Sequence, residues 1–161
     1  EKRNCKVMGL SVDRVENHLE WQNDIEDISG AKLEFPIIAD DALEVSKLYG
    51  MLPNSEGSTS EGRTAVDNQT VRMVFIVGPD RKIKALFGYP MSTGRNFDEV
   101  LRVIDSCQLT ANYKVATPAN WKHGEEVIIS PALNDEAAKE LFPNGWDAVK
   151  PYLRKVKDPS S

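Results

Sequence analysis

Residues 6–12, Lys-Val-Met-Gly-Leu-Ser-Val, form a short and mostly apolar run with valine near both ends, the pattern of a strand buried on both faces of a parallel sheet. The period then changes. Val15, His18, Leu19, Gln22, Ile25 and Ile28 recur at spacings of three and four until Ser29-Gly30, which predicts an amphipathic helix with Ser11 or Asp13 as N-cap and a glycine stop. Residues 33–39 give a second short strand, and Pro36, which has no N–H to donate, places itself at an edge or a strand entry. Asp40 and Asp41 lead into a short helix through Leu43, Val45 and Leu48, closed by Gly50.

Residues 53–69 are rich in Asn, Ser, Glu, Gly and Thr and read as one long exposed loop. Two β-rich runs follow, residues 70–77 and 82–89, separated by Gly78-Pro79-Asp80-Arg81, which predicts an antiparallel hairpin. Asn96 and Glu99 have the spacing of a capping box and open a helix with Val100, Leu101, Val103, Ile104 and Cys107 on its apolar side. After Thr110, Pro118, Pro131, Pro143 and Pro151 break the chain into pieces that look too small to hold a core alone. One strand over 126–129 and one helix over 135–142 are predicted there, packed on the first part or on a partner subunit.

The order β-α-β-α-loop-β-β-α ends in the ββα half of a thioredoxin-like fold. The expected class is therefore α/β, a thioredoxin-like fold incomplete at its N-terminus, with a small C-terminal α+β extension. Residues 1–110 are expected to form the core domain and residues 111–161 a separate C-terminal domain. The chain opens Glu1-Lys2-Arg3-Asn4 without Met or an apolar leader, which reads as a start inside something longer.

Charge and composition narrow the function. A net charge of −5 disfavours nucleic acid and anionic membrane surfaces, and no apolar stretch approaches the roughly 20 residues that span a bilayer. Two cysteines, Cys5 and Cys107, are too few for a disulfide framework and suit a cytoplasmic protein with reduced thiols. His18 and His123 are too far apart in the chain to suggest zinc, so neither metal nor cofactor is expected. His18 reads as a packed helix residue, and Asp40-Asp41 and Glu125-Glu126 as solvated loop charge.

A reactive thiol needs a helix N-terminus or cationic neighbours to lower its pKa. Cys5 precedes a strand and Cys107 lies late in a helix, so neither is placed as a nucleophile. Arg72 stands in an otherwise apolar strand, where it either snorkels to solvent or partners an anion or thiolate. Arg95, just before the last helix of the core, is either an ordinary loop arginine or one part of a positive locus shared with the helix dipole.

The segment Tyr89-Pro90-Met91-Ser92-Thr93-Gly94-Arg95-Asn96-Phe97-Asp98-Glu99-Val100-Leu101-Arg102-Val103 resembles the one-cysteine peroxiredoxins, and Val115-Ala116-Thr117-Pro118-Ala119-Asn120-Trp121 resembles the start of their C-terminal domain. Upstream, Ser11-Val12-Asp13, Glu16, His18, Trp21, Phe35-Pro36-Ile37-Ile38 and Asp41 also match. The resemblance implies reduction of hydrogen peroxide and organic hydroperoxides by a peroxidatic cysteine, an external thiol as reductant, and a homodimer or association with a missing N-terminal segment. The family's Pro-x-x-x-Thr-x-x-Cys turn does not occur here, so the attacking sulfur is expected upstream of this chain and the chain alone is expected to be inactive. The resemblance assigns Arg72 and Arg95 to catalysis. It gives no role to Cys5 or Cys107, and the Ser-His-Asp set of the family's phospholipase activity cannot be placed.

Two other readings stay open. One is a non-catalytic, truncated thioredoxin-fold module that associates with a full-length subunit. The other is a redox sensor that forms a Cys5–Cys107 disulfide.

Overall fold

The computed structural model describes residues 2–64, 67 and 72–161. The chain divides into two compact units, Glu1–Phe75 with Leu86–Arg95, and Ile76–Ala85 with Asn96–Ser161.

In the first unit, β1 (Gly9–Ser11) pairs in parallel with β2 (Ile37–Ala39), Gly9 opposite Ile37 and Ser11 opposite Ala39. The approach is close at Gly9, where a Cβ would stand 3.2 Å from Ile37 Cγ1 and the isoleucine side chain would have to give way by a few tenths of an ångström. Pro36 sits just before β2 and its carbonyl accepts the Gly9 N–H, so the proline is at a strand entry as its missing donor demands. Between the strands runs α1 (Val15–Ser29), closed by Gly30 in the left-handed region with φ 68°, whose N–H donates to the Glu26 carbonyl. The start of α1 departs from expectation. Arg14 occupies the N-cap with no side-chain cap, because the Ser11 hydroxyl donates to the Asp13 carboxylate and both side chains are engaged with each other. Among the described residues of this unit, Val12, Leu43 and Leu52 form the buried apolar cluster.

The short helix α2 (Glu44–Leu48) is held by Asp40. Its carboxylate is buried and accepts the N–H groups of Val45 at 3.0 Å and Ser46 at 2.6 Å, which corrects the expectation of solvated charge at that position, while Asp41 is exposed. Burial alone would raise the Asp40 pKa. The hydrogen bonds from Ser46, Val45 and Glu44 outweigh it and hold the carboxyl below its ordinary value. A depressed folded-state pKa contributes stability that is complete above the unfolded value of about 4 and is lost as the pH falls through the folded value. Asp40→Asn should therefore be less stable than the parent at neutral pH, with the gap closing below about pH 4, as urea midpoints across a pH series will show. A gap that stays constant with pH would contradict this account.

Two strands span the division between the units, β3 (Arg72–Val77) and β4 (Ile83–Tyr89). They pair with each other, and the five-residue connection permits only an antiparallel hairpin. Residues 70 and 71 of the predicted strand lie outside the described residues. At the turn, Gly78 N–H donates to Lys82 O and Arg81, at φ 59°, donates to Gly78 O.

The second unit opens with α3 (Phe97–Asn112). Asn96 caps it by accepting the Glu99 N–H. The reciprocal half of the capping box is absent among the described residues because the Glu99 carboxylate is taken by Arg102 at 2.6 and 2.8 Å. The C-terminal part then contradicts the expectation of pieces too small to hold a core. Strands β5 (Val115–Ala116), β6 (Val127–Ile129), β7 (Asp147–Lys150) and β8 (Leu153–Val156) form an antiparallel sheet of order β5-β6-β8-β7, with α4 (Asp135–Leu141) between β6 and β7. Val115, Trp121, Val127, Ile129, Ala138 and Val156 are buried together with Leu109 of α3. Four short strands succeed where each alone would fail because pairs such as Val127 with Val156 close one shared apolar face.

Arg154 is buried in this unit and both its terminal nitrogens are engaged. It donates to Asp135 at 2.7 Å and to the carbonyls of Ser130 and Leu133 at 3.1 and 2.6 Å, and it lies 5.6 Å from the Trp146 ring centre. It thereby ties β8 to the turn that precedes α4.

Candidate active site

Arg72 is the first residue of β3, and β4 ends at Tyr89 at the same end of the hairpin, six residues before Arg95. Both arginines belong to the first unit and both are partly buried. Their chemistry stands out against three other arginines of partial or full burial. Arg63 donates to Glu56 at 2.8 Å and to the Asp67 carbonyl, Arg102 grips Glu99 through two nitrogens, and Arg154 is paired as described. Arg72 and Arg95 form no ion pair among the described residues. The Nε–H of Arg72 is inaccessible to water and has no hydrogen-bond partner there.

A buried donor left unmade costs about 1–3 kcal/mol, and a guanidinium cannot escape by losing its proton. A site that tolerates this arrangement suits an anion that completes it. Phe75, on the same strand, meets the Tyr49 ring edge-on with centroids 5.0 Å apart, which anchors β3 in the unit that presents Arg72.

The long connection before β3 carries no helix or strand in its described part, yet it is organised. Lys47 Nζ donates to the carbonyls of Glu56 and Gly57 at 2.7 and 2.6 Å, and Arg63 closes on Glu56. Residues 65, 66, 68 and 69 of the predicted loop lie outside the described residues.

The remaining candidates fall elsewhere. Cys5 is exposed and precedes β1, and Cys107 is the eleventh residue of α3, half-buried; neither is in a disulfide. His18 is buried on α1, and its Nε2 lacks a partner among the described residues. His123 Nδ1 lies 3.6 Å from Asp158 Oδ2. Sequence reasoning misses Asp158, whose buried carboxylate accepts the N–H of Gly124 and both the N–H and hydroxyl of Ser160. Burial would raise its pKa, and the bonds from Ser160 and Gly124 together with the charge of His123 bring it below the ordinary value. Its role is to fasten the C-terminus. Glu125 is exposed and accepts the Lys122 N–H.

Among the described residues there is no cluster of three His, Cys, Asp or Glu side chains able to hold a metal ion, and no helix is long and apolar enough to cross a membrane.

Comparison with known proteins adds a family context to this geometry. The AhpC/TSA family profile matches residues 1–86, and the profile for the C-terminal domain of 1-Cys peroxiredoxin matches residues 106–145. The chain is 48% identical to a 1-Cys peroxiredoxin of Dictyostelium discoideum, over 99% of this chain and 63% of the relative. It is 47% identical to peroxiredoxin-6 of Rattus norvegicus, over 98% of this chain and 72% of the relative. Among solved structures, a yeast mitochondrial 1-Cys peroxiredoxin superposes with a TM-score of 0.89 at 43% identity, covering 97% of this chain and 72% of that one. The chain thus spans less than two thirds of the Dictyostelium relative.

Proposed function

This chain belongs to the 1-Cys peroxiredoxin family, and from that premise we propose that it forms the arginine-bearing part of a thiol-dependent peroxidase acting on hydrogen peroxide and organic hydroperoxides. The attacking sulfur comes from a Pro-x-x-x-Thr-x-x-Cys turn upstream of this chain, a motif that the 161 residues do not contain. The thiolate attacks one peroxide oxygen as the O–O bond breaks. The sulfur becomes a sulfenic acid and the other oxygen leaves as an alkoxide or hydroxide that takes up a proton. Two equivalents of an external thiol then return the sulfenic acid to the thiol, releasing water and a disulfide. No cofactor takes part.

The two arginines serve the charges of this reaction. Arg72 holds the thiolate ionised and Arg95 stabilises the charge that develops on the leaving oxygen, each as a fixed donor that cannot itself titrate. The observation that carries this reading is the buried Nε–H of Arg72, which has no partner among the described residues and is a donor suited to an anion such as a thiolate. The lack of an ion pair at Arg95 among the described residues agrees with it.

The isolated chain should reduce hydrogen peroxide in the presence of dithiothreitol no faster than its free thiols do. Cys5→Ser and Cys107→Ser should each lower that background by no more than the share of the one thiol removed. Enzyme-like turnover by the isolated chain that disappears with either substitution would place the nucleophile within this sequence and sink the assignment.

A further inference from the structure

Asn144 is the only asparagine of the chain that is followed by glycine. It stands in the corner between α4 and β7, where Phe142, Pro143, Asn144 and Gly145 make a tight turn. The Gly145 N–H donates to the Phe142 carbonyl at 2.9 Å, and Pro143 has no N–H with which to add a second bond. The glycine whose nitrogen closes the turn is exposed.

The side chain is as free as the turn is slight. Asn96 and Asn134 have their carboxamide oxygens committed to the N–H groups of Glu99 and Ala137 at helix caps, at 3.2 and 2.8 Å. The Asn144 carboxamide is exposed and meets no hydrogen-bond partner among the described residues. Gly145, at φ 78°, has nothing within 4 Å of the place a Cβ would take, so neither a side chain of its own nor a neighbour crowds that side of its main-chain nitrogen.

We propose that Asn144 is a site of spontaneous deamidation, a covalent modification whose co-reactant is water. The Gly145 nitrogen gives up its proton to solvent base and attacks Asn144 Cγ. The N–Cγ bond forms, the Cγ–Nδ2 bond breaks, and the amide nitrogen takes up a proton and leaves as ammonia. Water then opens the resulting cyclic imide at one of its two carbonyls, which yields aspartate or isoaspartate. Nothing is oxidised or reduced.

Both products weaken the corner. Each places a new carboxylate between Leu141, the last residue of α4, and Asp147, the first of β7, at the helix end whose free carbonyls already carry partial negative charge. Isoaspartate also routes the main chain through Cβ and Cγ, a carbon longer, so the Gly145 N–H no longer returns to Phe142 in register. The displacement passes to Trp146, which packs against the C-terminal cluster and lies 5.6 Å from the Arg154 guanidinium.

The full chain is incubated at neutral pH, native and in urea, and the segment 140–154 is mapped by mass spectrometry with isoaspartate resolved from aspartate. Asn144 should convert to both products, faster than Asn54, which is exposed and followed by Ser55. The native rate should lie within about tenfold of the rate in urea, because opening a single exposed turn costs little. The isoaspartyl fraction, separated by anion exchange, should unfold at a lower urea midpoint than the unreacted chain. Asn144→Gln, whose longer side chain closes the corresponding ring far more slowly, should stay unreacted and keep the parent's midpoint. An Asn144 that does not convert, conversion slower than at Asn54, a native rate more than about tenfold below that in urea, or an isoaspartyl fraction as stable as the parent would each overturn the proposal.

Discussion

Arg72→Ala should slow peroxide consumption by about two to three orders of magnitude in the thiol-bearing peroxidase to which this chain is proposed to belong, the range typical for removing a preorganised donor from a developing charge. The pKa of the attacking thiol should rise in the same variant, because the cation that favours the thiolate is gone. Stability should not fall with activity. Alanine removes a buried Nε–H that has no partner among the described residues, so the unfolding midpoint should hold or increase. Arg72→Lys keeps the charge and loses the rigid fork, and should recover only part of the rate. Arg102→Ala is the control. Its guanidinium is committed to Glu99 on α3, and its loss should change the rate by less than about twofold. Stopped-flow peroxide consumption and the pH dependence of thiol alkylation read both quantities. An unchanged rate with an unchanged thiol titration would remove the role assigned to Arg72.

Arg72 is conspicuous in the amino-acid sequence because a charge in the run Val71-Arg72-Met73-Val74-Phe75 conflicts with its surroundings, but the residues alone leave snorkelling and anion binding both open, and the proposed catalytic role comes from the resemblance. Arg95 carries no such signal. It follows Gly94 in a loop, and only the resemblance of the whole Thr93-Gly94-Arg95-Asn96 segment singles it out. The helices α1 and α3 and the β3–β4 hairpin are legible because each is specified within about fifteen residues by its own period and stop signals. The N-cap of α1 is not, because Ser11 and Asp13 satisfy each other, a choice that spacing alone does not reveal.

The C-terminal sheet is hidden for a different reason. Its strands are two to four residues long, too short for an alternation to register, and their pairing is distant in sequence, as for Val127 with Val156. Proline-rich spacing that reads as fragmentation is there the set of corners between strands. The burial of Asp40 is hidden by the same logic, since it depends on amides of Val45 and Ser46 that become available only once α2 forms.

Trp121 is where that hidden core is most open to test. Its side chain is 1% exposed, packs in the cluster with Val127, Ile129 and Val156, and donates its indole N–H to the Glu125 carbonyl at 3.1 Å. Trp121→Ala removes the largest buried side chain of the cluster and leaves that carbonyl without its donor, and should cost about 3–5 kcal/mol, much of the roughly 5–15 kcal/mol by which a domain is stable. The thermal midpoint should fall by more than about 10 °C. Trp121→Phe keeps most of the apolar volume and loses the hydrogen bond, so its cost should be smaller and closer to the roughly 1–3 kcal/mol of an unsatisfied buried group. Tyr152→Ala, at a position 72% exposed in the β7–β8 turn, should stay within about 0.5 kcal/mol of the parent. Urea unfolding followed by amide circular dichroism distinguishes the three. A loss below about 1 kcal/mol for Trp121→Ala would mean that the C-terminal sheet does not hold its own core and draws its stability from elsewhere.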